Sequence, residues 1–329
     1  MINKQVKLVK RPTGFPTAEN WQLTETPVPE IGQDEVLVKV THLSIDPAMR
    51  GWINEGKSYI EPVALGATMR AIGVGEVIAT KSDLVGIGDE VCGILNCQSY
   101  AVTNAKNLTK VSSKVAPLPT YLGALGMPGL TAYFGLLRVG ALQSGETVLV
   151  SGGAGAVGAV VGQIAKDLEC HVIGIAGGQE KCQYMKDLGF DEVIDYKNEK
   201  IGRSLRKLAP KGIDVYFDNV GGEALDAALA NLRLNARVVI CGAISQYNST
   251  SMTGPSQYLS LLVNRAKMEG FIVFDFIKEY DVATKKLVSM YQKGTLKTKE
   301  HVIDGLENFN TALNMLFTGS NFGKLILKI

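Results

Sequence analysis

The stretch from Thr147 to Gly158, Thr-Val-Leu-Val-Ser-Gly-Gly-Ala-Gly-Ala-Val-Gly, constrains this chain more than any other. An apolar β-branched run stops at a glycine cluster. Apolar residues then recur at helical spacing, with Val157, Val161, Ile164, Ala165 and Leu168 on one face. Gly153, Gly155 and Gly158 fit G-x-G-x-x-G, in which glycines permit a tight turn, close approach of backbone to a pyrophosphate and close helix packing. A helix beginning there aims unpaired N–H groups and its positive dipole end at phosphate. The motif alone is weak, but a strand before it and a helix after it predict a dinucleotide-binding β-α-β unit. Gly153 reads as the turn residue of that unit.

The rest of the chain supports this placement. Up to about residue 120, strand-like runs such as Val36–Val40 and Gly73–Ala79 are punctuated by Pro27, Pro29, Gly32, Gly86 and Gly88, which predicts a compact antiparallel β domain. From about residue 123, strand-like and helical patterns alternate. Strands are expected at 147–151, 171–176, 192–195, 214–218, 237–241 and 271–274, with helices near 180–188, 223–232 and 256–268. Such alternation predicts an α/β, doubly wound parallel sheet with right-handed crossovers. The last segment predicts an amphipathic helix at 304–317, a Gly-Ser-Asn turn and a strand over 323–329.

Composition narrows the partners. With 329 residues and 46% hydrophobic side chains, two domains with full cores are within reach. A net charge of +2, with both signs interspersed, gives no reason to expect nucleic acid or a membrane surface. The longest apolar region, 115–142, is broken by Pro117, Pro119 and Pro128 and holds Arg138, so it reads as buried loop and helix. The N-terminus lacks the apolar core of a signal peptide, and five cysteines without a C-x-x-C fit reduced thiols in the cytoplasm.

The second strand of such a unit distinguishes two nicotinamide cofactors. An NAD site needs a carboxylate about 20 residues beyond the glycines to hold the ribose 2′-OH. Here the strand ending at Ile175 runs into Ala176-Gly177-Gly178 with no acid, and Lys181 follows. A missing carboxylate and a nearby cation favour a 2′-phosphate, hence NADP(H). The competing reading is a solvated helix lysine.

Several separated segments together resemble the zinc-independent medium-chain dehydrogenase/reductases, in the branch of prostaglandin/leukotriene reductases, alkenal/one reductases and bacterial curcumin reductases. They are Lys10-Arg11-Pro12 with Gly14 and Pro16, Asp46-Pro47 with Met49-Arg50-Gly51, and Leu125–Tyr133. Further on come Gly155–Gly158, Phe217-Asp-Asn-Val-Gly-Gly222, Cys241–Tyr247, Met268–Gly270 and Asn321-Phe-Gly-Lys324. The resemblance implies a Rossmann doubly wound parallel sheet, residues 123–297, inserted in a GroES-like β-barrel catalytic domain of residues 1–122 plus 298–329. It also implies a homodimer formed through edge strands of the cofactor domains, which would protect the apolar strand expected at 271–274.

Carried over by position, Gly155, Ala156, Val157 and Gly158 would contact the pyrophosphate, and Lys181 and Tyr196 the 2′-phosphate. Asn219, the Cys241, Gly242, Ala243, Ile244, Ser245 and Tyr247 loop, the Ile272, Val273 and Phe274 strand, and Asn321 would line the rest of the cofactor. Tyr247 would lie near the substrate carbonyl and Tyr59 at the substrate mouth. Ala48 departs from the family's Asp-Pro-Tyr-Met-Arg, which removes a phenol from the pocket wall.

Metal and nucleophile chemistry find no support. Zinc needs three or four Cys, His or carboxylate ligands, whereas Ser44 and Gly66-Ala67-Thr68 stand where zinc-dependent relatives carry theirs, and the three histidines are far apart in sequence. No G-x-S-x-G elbow is present. The expected reaction is transfer of hydride from NADPH to the β-carbon of an α,β-unsaturated ketone or aldehyde. The resulting enolate oxygen would be held by Tyr247 and the ribose 2′-OH. A quinone oxidoreductase and a non-catalytic NADPH-binding protein are the rival readings.

Overall fold

The structure is a computed structural model that describes residues 1–329. By its internal contacts the chain divides into two units, Met1–Gly123 with Glu300–Ile329, and Ala124–Lys299.

The first unit is antiparallel β. Strands β1 (Ile2–Leu8) and β2 (Trp21–Pro27) form a hairpin in the register Ile2 to Pro27 and Leu8 to Trp21. Next come β3 (Glu35–Ser44), a four-residue helix α1 (Met49–Trp52), β4 (Ile72–Thr80), β5 (Glu90–Ile94), β6 (Tyr100–Asn104) and β7 (Thr109–Lys110). Strand β3 pairs with both β4 and β6, which explains its near-continuous apolar run: Val36, Leu37, Val38 and Val40 are all buried.

The second unit opens with helix α2 (Met127–Phe134), which continues into a π-turn at Gly135–Val139. It then alternates strictly: β8 (Thr147–Ser151), α3 (Gly158–Asp167), β9 (His171–Ala176), α4 (Gln179–Asp187) and β10 (Glu192–Asp195). After these come α5 (Ile201–Leu208), β11 (Ile213–Asp218), α6 (Gly222–Leu229), β12 (Leu232–Ile240), α7 (Leu259–Asn264) and β13 (Lys267–Gly270), and helix α8 (Tyr280–Gln292) closes the unit. The six strands are parallel in the order β10-β9-β8-β11-β12-β13. Ranked along the unit, that order is 3-2-1-4-5-6, the doubly wound dinucleotide-binding topology, with its crevice at the carboxyl ends of β8 and β11 where the order reverses. Leu149, Ile173, Tyr216 and Val238 anchor the core between sheet and helices.

The chain then returns to the first unit through β14 (Glu300–Asp304), α9 (Phe309–Thr318) and β15 (Lys324–Lys328). Strand β15 runs parallel to β14 and antiparallel to β3, so the antiparallel unit is completed by the C-terminal strand. Leu325 and Leu327 join Val38, Leu43 and Met49 in one core.

Two local expectations differ from what forms, and two elements form that were not expected. The strand expected at 271–274 is absent; β13 ends at Gly270 and a 3₁₀ turn follows at Val273–Glu279. The aromatic residues here serve packing instead: Phe271 meets both Phe217 and Phe276 edge-on at 6.5 Å, and Phe276, in the 3₁₀ turn, stacks on Phe134 at 4.8 Å. The helix expected over 256–268 is confined to Leu259–Asn264, because Arg265 turns left-handed (φ 48°) and the chain enters β13. Helix α5 and strand β14 were not foreseen; both are short and mostly polar.

Candidate active site

The glycine cluster folds as a turn whose geometry names a role for each residue. Gly152 takes the left-handed conformation (φ 63°), so the turn belongs to it and not to Gly153. A Cβ on Gly153 would meet Met185 Sδ at 2.5 Å, so this glycine admits α4 onto the sheet. A Cβ on Gly158 would stand 2.3 Å from the Gly152 carbonyl oxygen, which makes a side chain impossible where α3 starts. The amides of Gly155, Ala159, Val160 and Val161 bond within the turn and first helical residues, whereas those of Ala156, Val157 and Gly158 have no backbone acceptor. Three adjacent donors ahead of a ten-residue helix form a cradle that fits a pyrophosphate.

The end of β9 lies beside the end of β10. Ala176 accepts the Tyr196 amide at 3.1 Å, and a Cβ on Gly177 would strike the Tyr196 ring at 2.7 Å, so the ring lies against the Gly177 backbone. Gly178 (φ 97°) opens into α4, whose third residue is Lys181. Lys181 is half-buried; burial, and then the neighbouring Lys197 charge, push its ammonium below the ordinary lysine value. The nearby carboxylate of Asp195 is committed to its own turn. It accepts the amides of Gly178 (2.8 Å) and Lys197 (3.1 Å) and the side chain of Asn198 (2.8 Å). Against the burial that raises it, these bonds hold Asp195 below the usual carboxylate range. Two cations and a phenol, with the carboxylate turned inward, suit a 2′-phosphate and not a bare ribose hydroxyl.

At the reversal point, the loop 241–247 is laid on the end of β11. Cys241 and Gly242 donate their amides to the Asp218 carbonyl at 2.9 and 3.1 Å, Ile244 to Asn219 at 3.3 Å, and Ser245 to Val220 at 3.1 Å. Ser245 Oγ adds a bond to the same Val220 oxygen at 2.6 Å. Tyr247 folds back over this loop, and its phenol oxygen accepts the Ala243 amide at 3.2 Å. Gly242 makes room for it, since a Cβ there would sit 2.8 Å from the Tyr247 hydroxyl. Below the loop, Asn219 donates its backbone amide to Ser151 Oγ (2.9 Å) and its side chain to the Ser151 carbonyl (2.8 Å). Roles for Ser151 and Asp218, both buried, were missed by sequence reasoning; the signals were a polar residue closing each of two mostly apolar strands and, for Asp218, its place in the Phe217–Gly222 segment.

The second unit therefore brings together Gly155–Gly158, Lys181, Tyr196, Asn219 and Cys241–Tyr247 along one edge of its sheet. Ile272, Val273 and Phe274 do not extend that sheet. Val273 is buried and Phe274 exposed, and the Val273 carbonyl accepts the Tyr280 hydroxyl at 3.1 Å.

Tyr59 and Asn321 belong to the first unit. The Tyr59 oxygen accepts Trp52 Nε1–H at 2.8 Å, and the Arg70 guanidinium lies 5.7 Å above the Trp52 ring. Asn321 donates to the Gly323 carbonyl at 3.1 Å. Several separated motifs prove to be mutual supports here. Buried Arg50 donates to the Gly14 carbonyl at 3.0 Å, and Lys324 Nζ bonds Asp46 Oδ1 at 2.7 Å and the Ile45 carbonyl at 2.9 Å. Ser44 donates to Asp46, and Ala48 packs against the core. No three His, Cys, Asp or Glu side chains converge as metal ligands anywhere in the chain, so the donor set does not fit a zinc ion.

A doubly wound sheet with this cradle and this cationic cluster defines a dinucleotide-binding protein. Comparison with known proteins sharpens the class. Residues 4–111 match the N-terminal domain of oxidoreductases and residues 156–289 the zinc-binding dehydrogenase domain. The chain is 40% identical over 336 residues to the NADP(+)-dependent 2-alkenal reductase of Nicotiana tabacum, covering 99% of this chain and 97% of that protein. It is 36% identical over 334 residues to the NADPH-dependent curcumin reductase of Escherichia coli, with the same two coverages. Among solved structures, CurA of Vibrio vulnificus in complex with NADPH superposes with a TM-score of 0.93 at 41% identity, covering 99% of this chain and 98% of that one. The chain belongs to the medium-chain dehydrogenase/reductase family, in the branch of the alkenal, curcumin and prostaglandin reductases.

Proposed function

We propose that this protein is an NADPH-dependent reductase of activated alkenes, acting on α,β-unsaturated ketones and aldehydes. The observation that carries the reading is the Tyr247 phenol at the carboxyl edge of the parallel sheet, held over the cofactor loop by the Ala243 amide. Kinship to an alkenal reductase and a curcumin reductase over nearly the whole chain supports the same chemistry.

The Ala156–Gly158 amides bind the pyrophosphate, and Lys181 and Tyr196, with Lys197 beside them, hold the 2′-phosphate. NADPH, when bound, supplies the hydride that adds to the β-carbon. The alkene π pair moves toward the carbonyl, and Tyr247 O–H donates to the oxygen that becomes the enolate. A phenol that accepts an amide N–H is a stronger donor for doing so. A proton then adds at the α-carbon, which balances the reduction. Losing one oxyanion donor of this kind costs about 10²–10³ in rate. The donor set of the first unit does not fit zinc, so hydrogen bonding carries the oxyanion. Tyr59, held by Trp52, is assigned to the substrate and Asn321 to the cofactor on the resemblance of their segments to the family.

In this reading the first unit is the catalytic domain and the second the NADP-binding domain. No helix is long and apolar enough to cross a membrane, and five unpaired thiols suit the cytoplasm. Strand β13 ends the sheet with all four residues exposed, and next to it α7 has no buried residue, with Leu259, Leu262 and Val263 in water. An unpaired strand edge beside an exposed apolar helix face needs a cover, which a second copy supplies as a homodimer. The test of function is steady-state oxidation of NADPH and NADH with matched enals, enones and quinones. Turnover of enals and enones with NADPH is expected; preference for quinones or for NADH overturns the reading.

A further inference from the structure

The carboxylate of Asp218 is 1% exposed and pairs with no Lys, Arg or His. Burying a charge without a cation is expensive unless hydrogen bonds replace its water. Here they do, and on a single atom. Oδ1 accepts Tyr216 O–H at 2.7 Å, Ser151 O–H at 3.0 Å, and the amides of Val220 and Gly221, each at 2.9 Å. The backbone carbonyl of the same residue takes the amides of Cys241 and Gly242, and Ser151 Oγ relays the Asn219 amide into the cluster. One residue thus ties together the last residue of β8 and the turn after β11 through its side chain, and the loop after β12 through its backbone carbonyl.

We infer that Asp218 is the positioning residue that sets the nicotinamide-side loops, 219–222 and 241–247, while leaving the 2′-phosphate cluster untouched. The inference rests on the proposed NADPH chemistry. Its physical reason is the number of donors. An amide oxygen carries no net charge and holds its donors about half as strongly as a carboxylate oxygen, so Asn at this position holds all four weakly. Two of them are the amides of Val220 and Gly221, in the turn after β11 whose Val220 carbonyl holds Ser245 of the 241–247 loop. Lys181 and Tyr196 are anchored separately, by the ends of β9 and β10 and by Asp195.

The test uses Asp218→Asn, which keeps the shape, and Ser151→Ala, which removes only the relay. Tyr216→Phe is the control, because its lost bond touches no loop. Binding is measured for NADPH and for 2′,5′-ADP, which carries only the adenosine half, together with kcat and KM and a thermal melt. Asp218→Asn is expected to weaken NADPH about 10- to 100-fold and to lower kcat at saturating NADPH. Its 2′,5′-ADP affinity should stay within about threefold. Ser151→Ala should move the same readouts in the same direction by less, and it decides the matter if Asp218→Asn does not fold. Tyr216→Phe should lower the melting temperature without separating the two ligands. If Asp218→Asn and Ser151→Ala weaken both ligands equally, or leave NADPH binding and kcat unchanged, the positioning role is overturned while the cofactor reading stands. A wild-type protein that binds neither ligand overturns the cofactor reading and this inference with it.

Discussion

Replacing Lys181 by Ala separates the cofactors most directly. Lys181 is the third residue of α4, half-buried at the point where a 2′-phosphate is proposed to sit, with Lys197 beside it and Asp195 bonded to its own turn. A hydrogen bond to a charged group contributes about 1.5–3 kcal/mol. Solvent reaches half of this site and Lys197 remains, so the lower end applies, about 1.5–2 kcal/mol. At roughly 1.4 kcal/mol per decade, NADPH affinity falls about 10- to 30-fold. NADH has no 2′-phosphate, so its affinity stays within about twofold, and the ratio of the two Kd values, read by nucleotide fluorescence titration, reports the effect. The pH dependence has a definite sign. Burial and Lys197 lower the Lys181 ammonium in the unliganded protein, and a bound phosphate raises it again. NADPH affinity is therefore full below the unliganded Lys181 value and falls as pH rises from there through the higher value of the complex, while NADH affinity stays flat. Equal weakening of NADPH and NADH in the variant, or an unchanged NADPH affinity, refutes the assignment.

Other outcomes follow from the same geometry. Tyr247→Phe should lower kcat about 10²–10³-fold with NADPH affinity changed by less than about threefold, since the lost group is an oxyanion donor; stopped-flow single turnovers measure it. Gly158→Ala should abolish NADPH binding and lower stability by about 3 kcal/mol, because its Cβ would stand 2.3 Å from the Gly152 carbonyl oxygen. Calorimetry with and without NADPH checks both effects. Leu262→Asp, on the uncovered face of α7, should turn a dimer into a 35.3 kDa monomer by light scattering, and a wild type already monomeric contradicts the homodimer.

The sequence by itself determined the parallel sheet through its first five strands, because strand and helix patterns alternate from Thr147 onward, while α5 and the sixth strand at Lys267–Gly270 escaped it. It determined the place of the phosphate cradle, because only glycines fit where a strand turns sharply into a helix. It also showed the absence of a carboxylate after Ile175, which is a local fact. Short-range patterns survive folding when packing agrees with them, as at β10, expected and found at 192–195. Where contacts distant in sequence compete, they decide. Residues 271–274 read as a strand, but the Phe271 ring and the neighbouring Phe276 ring turn inward onto Phe217 and Phe134, so the chain coils instead. Gly152 and Gly153 are adjacent and identical in sequence. Only Met185, brought in by α4, makes one a packing residue and leaves the turn to the other. Asp218 and Ser151 are two polar residues ending apolar strands, 67 positions apart. Neither announces a role, because a hydrogen-bond cluster exists only after β8 and β11 lie side by side. The tertiary structure alone decided that the four donors meet on one oxygen.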